Sequence, residues 1–214
     1  MTSLMFYTNP MSRGQIARWM LEEVGAPYEQ HLLDYGAQMK GSEYLAINPM
    51  GKVPAIVHDG RVVSEAAAIC AYLAEAFPDA GLAPQPGEHA DYFRWMFFGA
   101  GPLEQAITNR SMGWEGGPDK QMMLGYGSFD LAADTLAGWL ADHDFICGDR
   151  FTAADVFVGA QVDWGLAFNT LPDHAAFSAY AERLRARPAY IRAKAIDNDL
   201  IAVAKAAEEQ GEDA

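Results

Sequence analysis

Asn48-Pro49-Met50-Gly51-Lys52-Val53-Pro54-Ala55-Ile56-Val57-His58-Asp59-Gly60-Arg61-Val62-Val63-Ser64-Glu65 decides how the first part of this chain folds. Asp59-Gly60 is a tight-turn pair between two short apolar runs, 54–58 and 61–64, and predicts an antiparallel hairpin. Pro54 has no ladder donor, so it belongs at an edge or in a cis turn. Either geometry leaves the Val53 amide and carbonyl free to meet another backbone. A helix is expected over 65–77. Its unpaired N–H groups and positive dipole end would open at Ser64-Glu65, where a carboxylate ligand finds donors.

Toward the N-terminus, 4–7 reads as a strand. Residues 12–24 carry Ile16, Ala17, Met20, Leu21 and Val24 at helical spacing, and 28–32 reads as a second strand after Gly25-Ala26-Pro27. This βαβ order predicts a parallel pair with a right-handed crossover. A looser helical turn is expected over 40–47. The order βαβαββα therefore places a small mixed sheet with helices on its faces in residues 1–78. Toward the C-terminus, Pro78-Asp79-Ala80-Gly81-Leu82-Ala83-Pro84-Gln85-Pro86-Gly87 is too rich in Pro and Gly for a regular element, and 79–87 reads as a linker. Helical patterns follow at 88–112, 119–143, 153–168, 173–186 and 188–207. The fold class is α/β followed by all-α, with a helical bundle over 88–214.

Acidic residues outnumber Lys plus Arg by 29 to 15 in 214 residues, a formal charge of −14. Residues 1–78 carry five basic and eight acidic groups, whereas residues 79–214 carry ten and twenty-one. That balance, with no basic cluster, argues against nucleic acid and anionic membrane as partners. No window approaches the roughly 20 apolar residues of a membrane span, and Met1–Tyr7 shows no secretory leader. A cytoplasmic location is expected. Cys70 and Cys147 sit among apolar neighbours and read as free thiols. The five histidines are scattered, and no metal site is expected.

Two motifs read as structural. Phe151-Thr152-Ala153-Ala154-Asp155 resembles a capping box with a staple, and Arg187-Pro188 opens the last helix. A third, Thr8-Asn9-Pro10-Met11-Ser12-Arg13-Gly14, joins the first strand to the first helix. Ser12 there is a cap, or it presents its hydroxyl beside a helix N-terminus that holds a thiolate; the two roles are compatible.

These three turns, the linker and the box together resemble a cytosolic glutathione transferase of bacterial type over essentially the whole chain. The diagnostic pieces are Trp19-Met20-Leu21-Glu22-Glu23-Val24-Gly25-Ala26-Pro27-Tyr28-Glu29, residues 48–54, Glu65-Ala66-Ala67-Ala68-Ile69-Cys70-Ala71-Tyr72-Leu73, and residues 151–155. The resemblance implies a thioredoxin-like first domain that holds glutathione as co-substrate and a helical second domain that shapes the electrophile pocket. It also implies a homodimer. Carried over by residue, Val53 before a cis Pro54 exchanges backbone hydrogen bonds with the cysteinyl part of glutathione. Glu65 meets the γ-glutamyl amine, and Lys40, assisted by Lys52, meets the glycine carboxylate. The family usually has Ser where this chain has Ala66, so the amide survives and Ser64 stands in for the hydroxyl. Asn9 occupies the place of the tyrosine of tyrosine-type members, four residues before Arg13-Gly14. Ser12 matches members that use Ser, and Tyr7 shares the strand face of Asn9. Trp95, Phe98 and Pro102, with Trp114 and Trp164, are expected to line an apolar electrophile pocket. The activity implied is conjugation of glutathione, with peroxidase as a side activity. The alternatives are a non-catalytic binding module and a glutathione-dependent disulfide reductase.

Overall fold

The computed structural model describes residues 3–212, with side chains through 207. The chain divides into two compact units. One runs to Ala80 and resumes at Arg187, and the other is Gly81–Ala186.

The first unit contains β1 (Leu4–Thr8), α1 (Gly14–Val24), β2 (Glu29–Leu32), α2 (Ser42–Leu45), β3 (Ala55–His58), β4 (Arg61–Ser64), α3 (Ala66–Ala76) and α9 (Pro188–Glu212). Its four strands form one mixed, thioredoxin-like sheet in the order β2-β1-β3-β4. β1 and β2 are parallel, as the βαβ reading requires, and the other neighbours are antiparallel. The hairpin forms because Asp59 and Gly60 both take positive φ, 49° and 79°, the conformation that a two-residue loop between right-twisted strands needs. Along β1, Leu4, Phe6 and Thr8 are buried while Met5 and Tyr7 are half-buried. Tyr7 packs with Met39, Tyr44, Ala55 and Val53 in a small cluster. α1 buries Ile16, Ala17, Trp19, Met20 and Leu21 and ends at Gly25, whose left-handed backbone returns its N–H to Leu21 O at 3.0 Å.

The sequence placed the last helix with the bundle. In the structure α9 packs instead along α1 in the first unit. Arg18 and Asp197, both buried, pair at 2.7 Å, while Arg187 grips Glu23 through two bonds of 2.7 and 2.8 Å and Arg192 reaches Glu22 at 3.2 Å. Helical periodicity says which face of a helix is covered but not which surface covers it. The complementary charges on α1 and α9 carry that second piece of information. α9 opens at Pro188 as expected and continues through Glu212, past the expected end at 207. The side chains of 208–212, and Asp213 and Ala214 altogether, lie outside the described residues. So does the expectation that the acidic tail frays, and Met1 and Thr2 lie outside them too.

The second unit holds α4 (His89–Phe98), α5 (Glu104–Ser111), α6 (Phe129–Asp142), α7 (Ala153–Ala167) and α8 (Ala175–Arg185). The single helix expected over 88–112 contains a π-helical turn, Gly99–Leu103. Pro102 lies in that turn, and its missing N–H and ring loosen the α ladder there. The helix expected over 119–143 is shorter. Pro118–Lys120 is a lone 3-10 turn, and α6 begins only after Ser128, whose Oγ accepts the Leu131 N–H at 3.1 Å.

The capping box forms before α7. The Asp155 carboxylate takes the Thr152 N–H at 2.8 Å and the Thr152 hydroxyl at 3.0 Å. It also takes the Ile146 N–H at 2.7 Å and the Tyr180 hydroxyl at 2.8 Å. The linker is held rather than loose. Arg150 bonds Glu88 at 2.9 Å through Nε, Ala83 O at 2.8 Å, and Gly81 O, while the Ala153 N–H reaches Leu82 O at 3.0 Å.

Candidate active site

Strand register brings three turns to one end of the sheet. Tyr7 at the end of β1 is opposite Ala55 at the start of β3, and Ala55 is opposite Ser64 at the end of β4. The turn 9–13, the Val53-Pro54 step and the Ser64-Glu65 entry to α3 therefore share that end. β2 contributes its own end, since Leu32 pairs with Thr8.

The Val53-Pro54 peptide is cis, and Val53 stands just outside the ladder, half-buried. The peptide before it is braced: Lys52 O accepts both the Tyr44 hydroxyl at 2.6 Å and the Asn48 amide at 2.8 Å. Burial pushes the Tyr44 pKa up to about 12, so it stays a donor to that carbonyl across the accessible pH range. Asn48 and Tyr44 were not among the expected site residues. The Asn48-Pro49 turn signal marks the place, but a bond from Asn48 to residue 52 has no sequence signature. The Lys40 ammonium sits on Met50 O and Gly51 O, both at 3.0 Å, tying the loop after β2 to the 48–51 turn. Lys52 itself is exposed.

Glu65 is exposed and opens α3 at φ 68°, ψ 120°, a backbone region that side-chain-bearing residues rarely occupy. Ala66 is nearly buried and Ser64 half-buried. The first amides of α3 have no partner within the helix.

The turn after β1 is densely bonded. The Asn9 amide donates to Leu33 O at 3.0 Å and accepts the Met11 N–H at 2.9 Å. The Ser12 hydroxyl donates to Asn9 O at 2.6 Å and accepts the Gly14 N–H at 2.9 Å. Gln15 Nε2 donates to Pro10 O at 2.6 Å, and the Tyr35 hydroxyl donates to Met11 O at 3.1 Å. Gly14 is there because nothing larger fits, since a Cβ would lie 2.0 Å from Thr8 Oγ1. Ser12 is half-buried, Asn9 is 7% exposed, and Arg13 is the exposed N-cap of α1. Tyr7, on β1, packs in the same cluster as Val53 and as Tyr44, whose hydroxyl braces the peptide before Val53. The Tyr7 ring stacks on His31 at 4.8 Å, and its hydroxyl is 3.9 Å from Met5 Sδ, two residues back along β1.

The five aromatic and proline positions expected to line an electrophile pocket lie in the second unit. Trp95 is fully buried among Phe98, at 5.1 Å between rings, and Trp139, at 5.4 Å, and is core. Phe98, Pro102 and Trp164 are half-buried, and Trp114 is 65% exposed. Neither cysteine joins the first unit's turns as a thiolate. Burial raises the pKa of Cys70, and Cys147, in the second unit, is pushed up to about 11 by the same cause.

Two sequence models match the chain, the N-terminal domain of glutathione S-transferase over residues 11–76 and its C-terminal domain over residues 130–188. Together they span more than half of it. The chain belongs to the glutathione S-transferase family. Glutathione S-transferase GstA of Escherichia coli O157:H7 is 28% identical over 152 residues, covering 69% of this chain and 75% of that protein. A glutathione transferase structure from Methylococcus capsulatus superposes with a TM-score of 0.75 at 26% identity, covering 91% of this chain and 98% of the other. The theta class glutathione S-transferase of Xanthomonas axonopodis pv. citri, solved with glutathione bound, gives 0.70 at 25% identity over 90% and 97% of the two chains.

Proposed function

We propose that this glutathione S-transferase binds glutathione across Val53, Glu65 and Lys40 and uses its thiolate on an apolar electrophile. The observation that carries the reading is the convergence of three dissimilar turns, at 9–13, 53–54 and 64–65, on one end of the sheet. Structures of relatives that hold glutathione support the choice of thiol. In this reading the γ-glutamyl carboxylate lies on the free amides of α3, with Ser64 and the Ala66 N–H, and the amine meets Glu65. The cysteinyl backbone pairs with Val53, and the glycine carboxylate meets Lys40 and Lys52.

The thiol loses its proton to solvent, and the thiolate rests at the N-terminus of α1 beside Ser12, where dipole and donors favour the anion. To donate a hydrogen bond to sulfur, Ser12 exchanges Asn9 O for the thiolate by rotation about its Cβ–Oγ bond and keeps its proton. The thiolate then attacks an electrophilic carbon, the S–C bond forms, and the leaving group departs with its electron pair. Peroxide reduction is the side activity that the same thiolate supports. The protein is proposed to act in the cytoplasm as a homodimer on small detoxification substrates. Among the described residues no helix is long and apolar enough to cross a membrane.

The test is retention on immobilised glutathione together with turnover of a chloronitrobenzene. Retention with turnover is expected. Retention without turnover makes the protein a binding module. Turnover restricted to glutathionylated disulfides makes it a reductase.

A further inference from the structure

Gln15 and Lys194 form a relay that joins the C-terminal helix to the turn proposed to hold sulfur. Gln15, in the first turn of α1, reaches back and donates through Nε2 to Pro10 O at 2.6 Å. Its other amide atom is also taken, because Oε1 accepts the Lys194 ammonium at 2.9 Å. Lys194 is half-buried on α9 and lies over the Tyr190 ring at 5.5 Å.

We propose that Gln15 and Lys194 are positioning residues for the glutathione thiolate, and the proposal rests on the reading above. The physical basis is the direction of the bonds. A cation on Oε1 draws electron density from the amide and strengthens its Nε2–H as a donor. That donor fixes the carbonyl of Pro10, two residues before Ser12. With Asn9 holding Met11 N and Tyr35 holding Met11 O, the Gln15 bond leaves the backbone of 9–12 little room to rotate. A donor set fixed before the reaction needs no reorganisation when charge develops on sulfur. α9 would thus act on the rate without touching substrate.

Four variants are titrated by the ultraviolet thiolate band of bound glutathione and assayed for kcat and KM. Lys194→Met removes the charge, Lys194→Arg keeps it, and Gln15→Glu keeps a partner for Lys194 but loses the donor to Pro10 O. Arg192→Met breaks a neighbouring tie between α9 and α1, the bond to Glu22, and leaves Gln15 alone. Lys194→Met and Gln15→Glu are expected to move the thiolate titration upward and to lower kcat by about 5- to 10-fold, with the KM for glutathione changed less than twofold. Lys194→Arg should restore most of the rate. Arg192→Met should lower the melting temperature with the titration unmoved. If the parent titrates a thiolate and Lys194→Met and Gln15→Glu both titrate like it, the relay is rejected while the proposed function stands. A parent with bound glutathione but no thiolate band rejects both. Should Arg192→Met move the titration as far as Lys194→Met, general undocking of α9 explains the effect and the relay is again rejected.

Discussion

Ser12 has one hydroxyl proton, and it is donated to Asn9 O, 2.6 Å away. In the proposed complex the hydroxyl must give up that bond before it can donate to sulfur, which trims its share of thiolate stabilisation. Ser12→Ala is expected to lower kcat/KM by about 10-fold, at the low end of what loss of one anion-holding donor does, and to cost about 1 kcal/mol of stability as a lost cap. Kinetics and thermal unfolding of the same sample separate the two. A stability loss with an unchanged rate would leave Ser12 as a cap alone. Glu65 carries a different conflict, since its backbone sits at φ 68°, ψ 120° with a side chain attached. Glu65→Ala should weaken glutathione binding by about 1.5–3 kcal/mol, as for a charge-assisted bond, measured by calorimetric titration. Glu65→Gly should lose the same affinity but raise stability by about 1 kcal/mol as the backbone relaxes. Turn chemistry and the family pattern both single out Val53, Pro54 and Glu65 in the sequence, and the family pattern alone singles out Lys40; the structure shows the cis Val53-Pro54 step, the strained Glu65 backbone and the Lys40 bonds to Met50 O and Gly51 O. Neither singles out Gln15, Tyr44 or Tyr35, because a side chain that bonds a distant carbonyl leaves no periodic trace.

The box before α7 gathers four donors on a carboxylate with no exposed surface. Burial pushes the Asp155 pKa up to about 6 against the pull of those donors. An unfolded Asp titrates near 3.9, so the native state binds the proton more tightly. This group's contribution to stability is then greatest below about pH 4 and declines as pH rises through about 6, by roughly 2–3 kcal/mol. Asp155→Asn removes the slope. The difference in unfolding free energy between parent and variant should fall between about pH 4 and pH 6.5. A flat difference over that range would mean that the donors outweigh burial. At the same scale the sequence was read well where an element is long and periodic, as in α1, α7 and α8. It failed at 119–128, where a helical pattern is cut by Gly125, Gly127 and a Ser128 cap, and at 99–103, where Pro102 sits inside a helix that continues past it.

Arg18 and Asp197 join the two ends of the chain through a pair with almost no exposure, 2.7 Å apart. Tyr28 accepts a second Arg18 bond at 3.0 Å, and the guanidinium lies 5.2 Å from the centre of the Phe6 ring. Removing one partner strands the other as a buried charge. Asp197→Ala should therefore cost about 3–5 kcal/mol in denaturant unfolding. A loss below about 1 kcal/mol would mean that water reaches Arg18 when Asp197 is gone. The two-part architecture was readable from composition and periodicity, since every described strand lies before the Pro-rich linker and only helical patterns follow it. That the last helix crosses back was not, because α9 is amphipathic in the same way as a bundle helix, and only its charges at 187, 192, 194 and 197 distinguish its partner.

The return of α9 also sets an order of assembly during synthesis. A chain made from its N-terminus presents α1 and the sheet early, with Arg18 and the Trp19 face uncovered. The helix that covers them leaves the ribosome only after all of Gly81–Ala186. The nascent first unit must wait through more than a hundred residues of elongation, at about 5–20 residues per second, before it can close. During those seconds its unfinished α1 surface is open to any chaperone that binds apolar helices. A ribosome stalled before Arg187 would hold a sheet and a bundle but not a finished first unit.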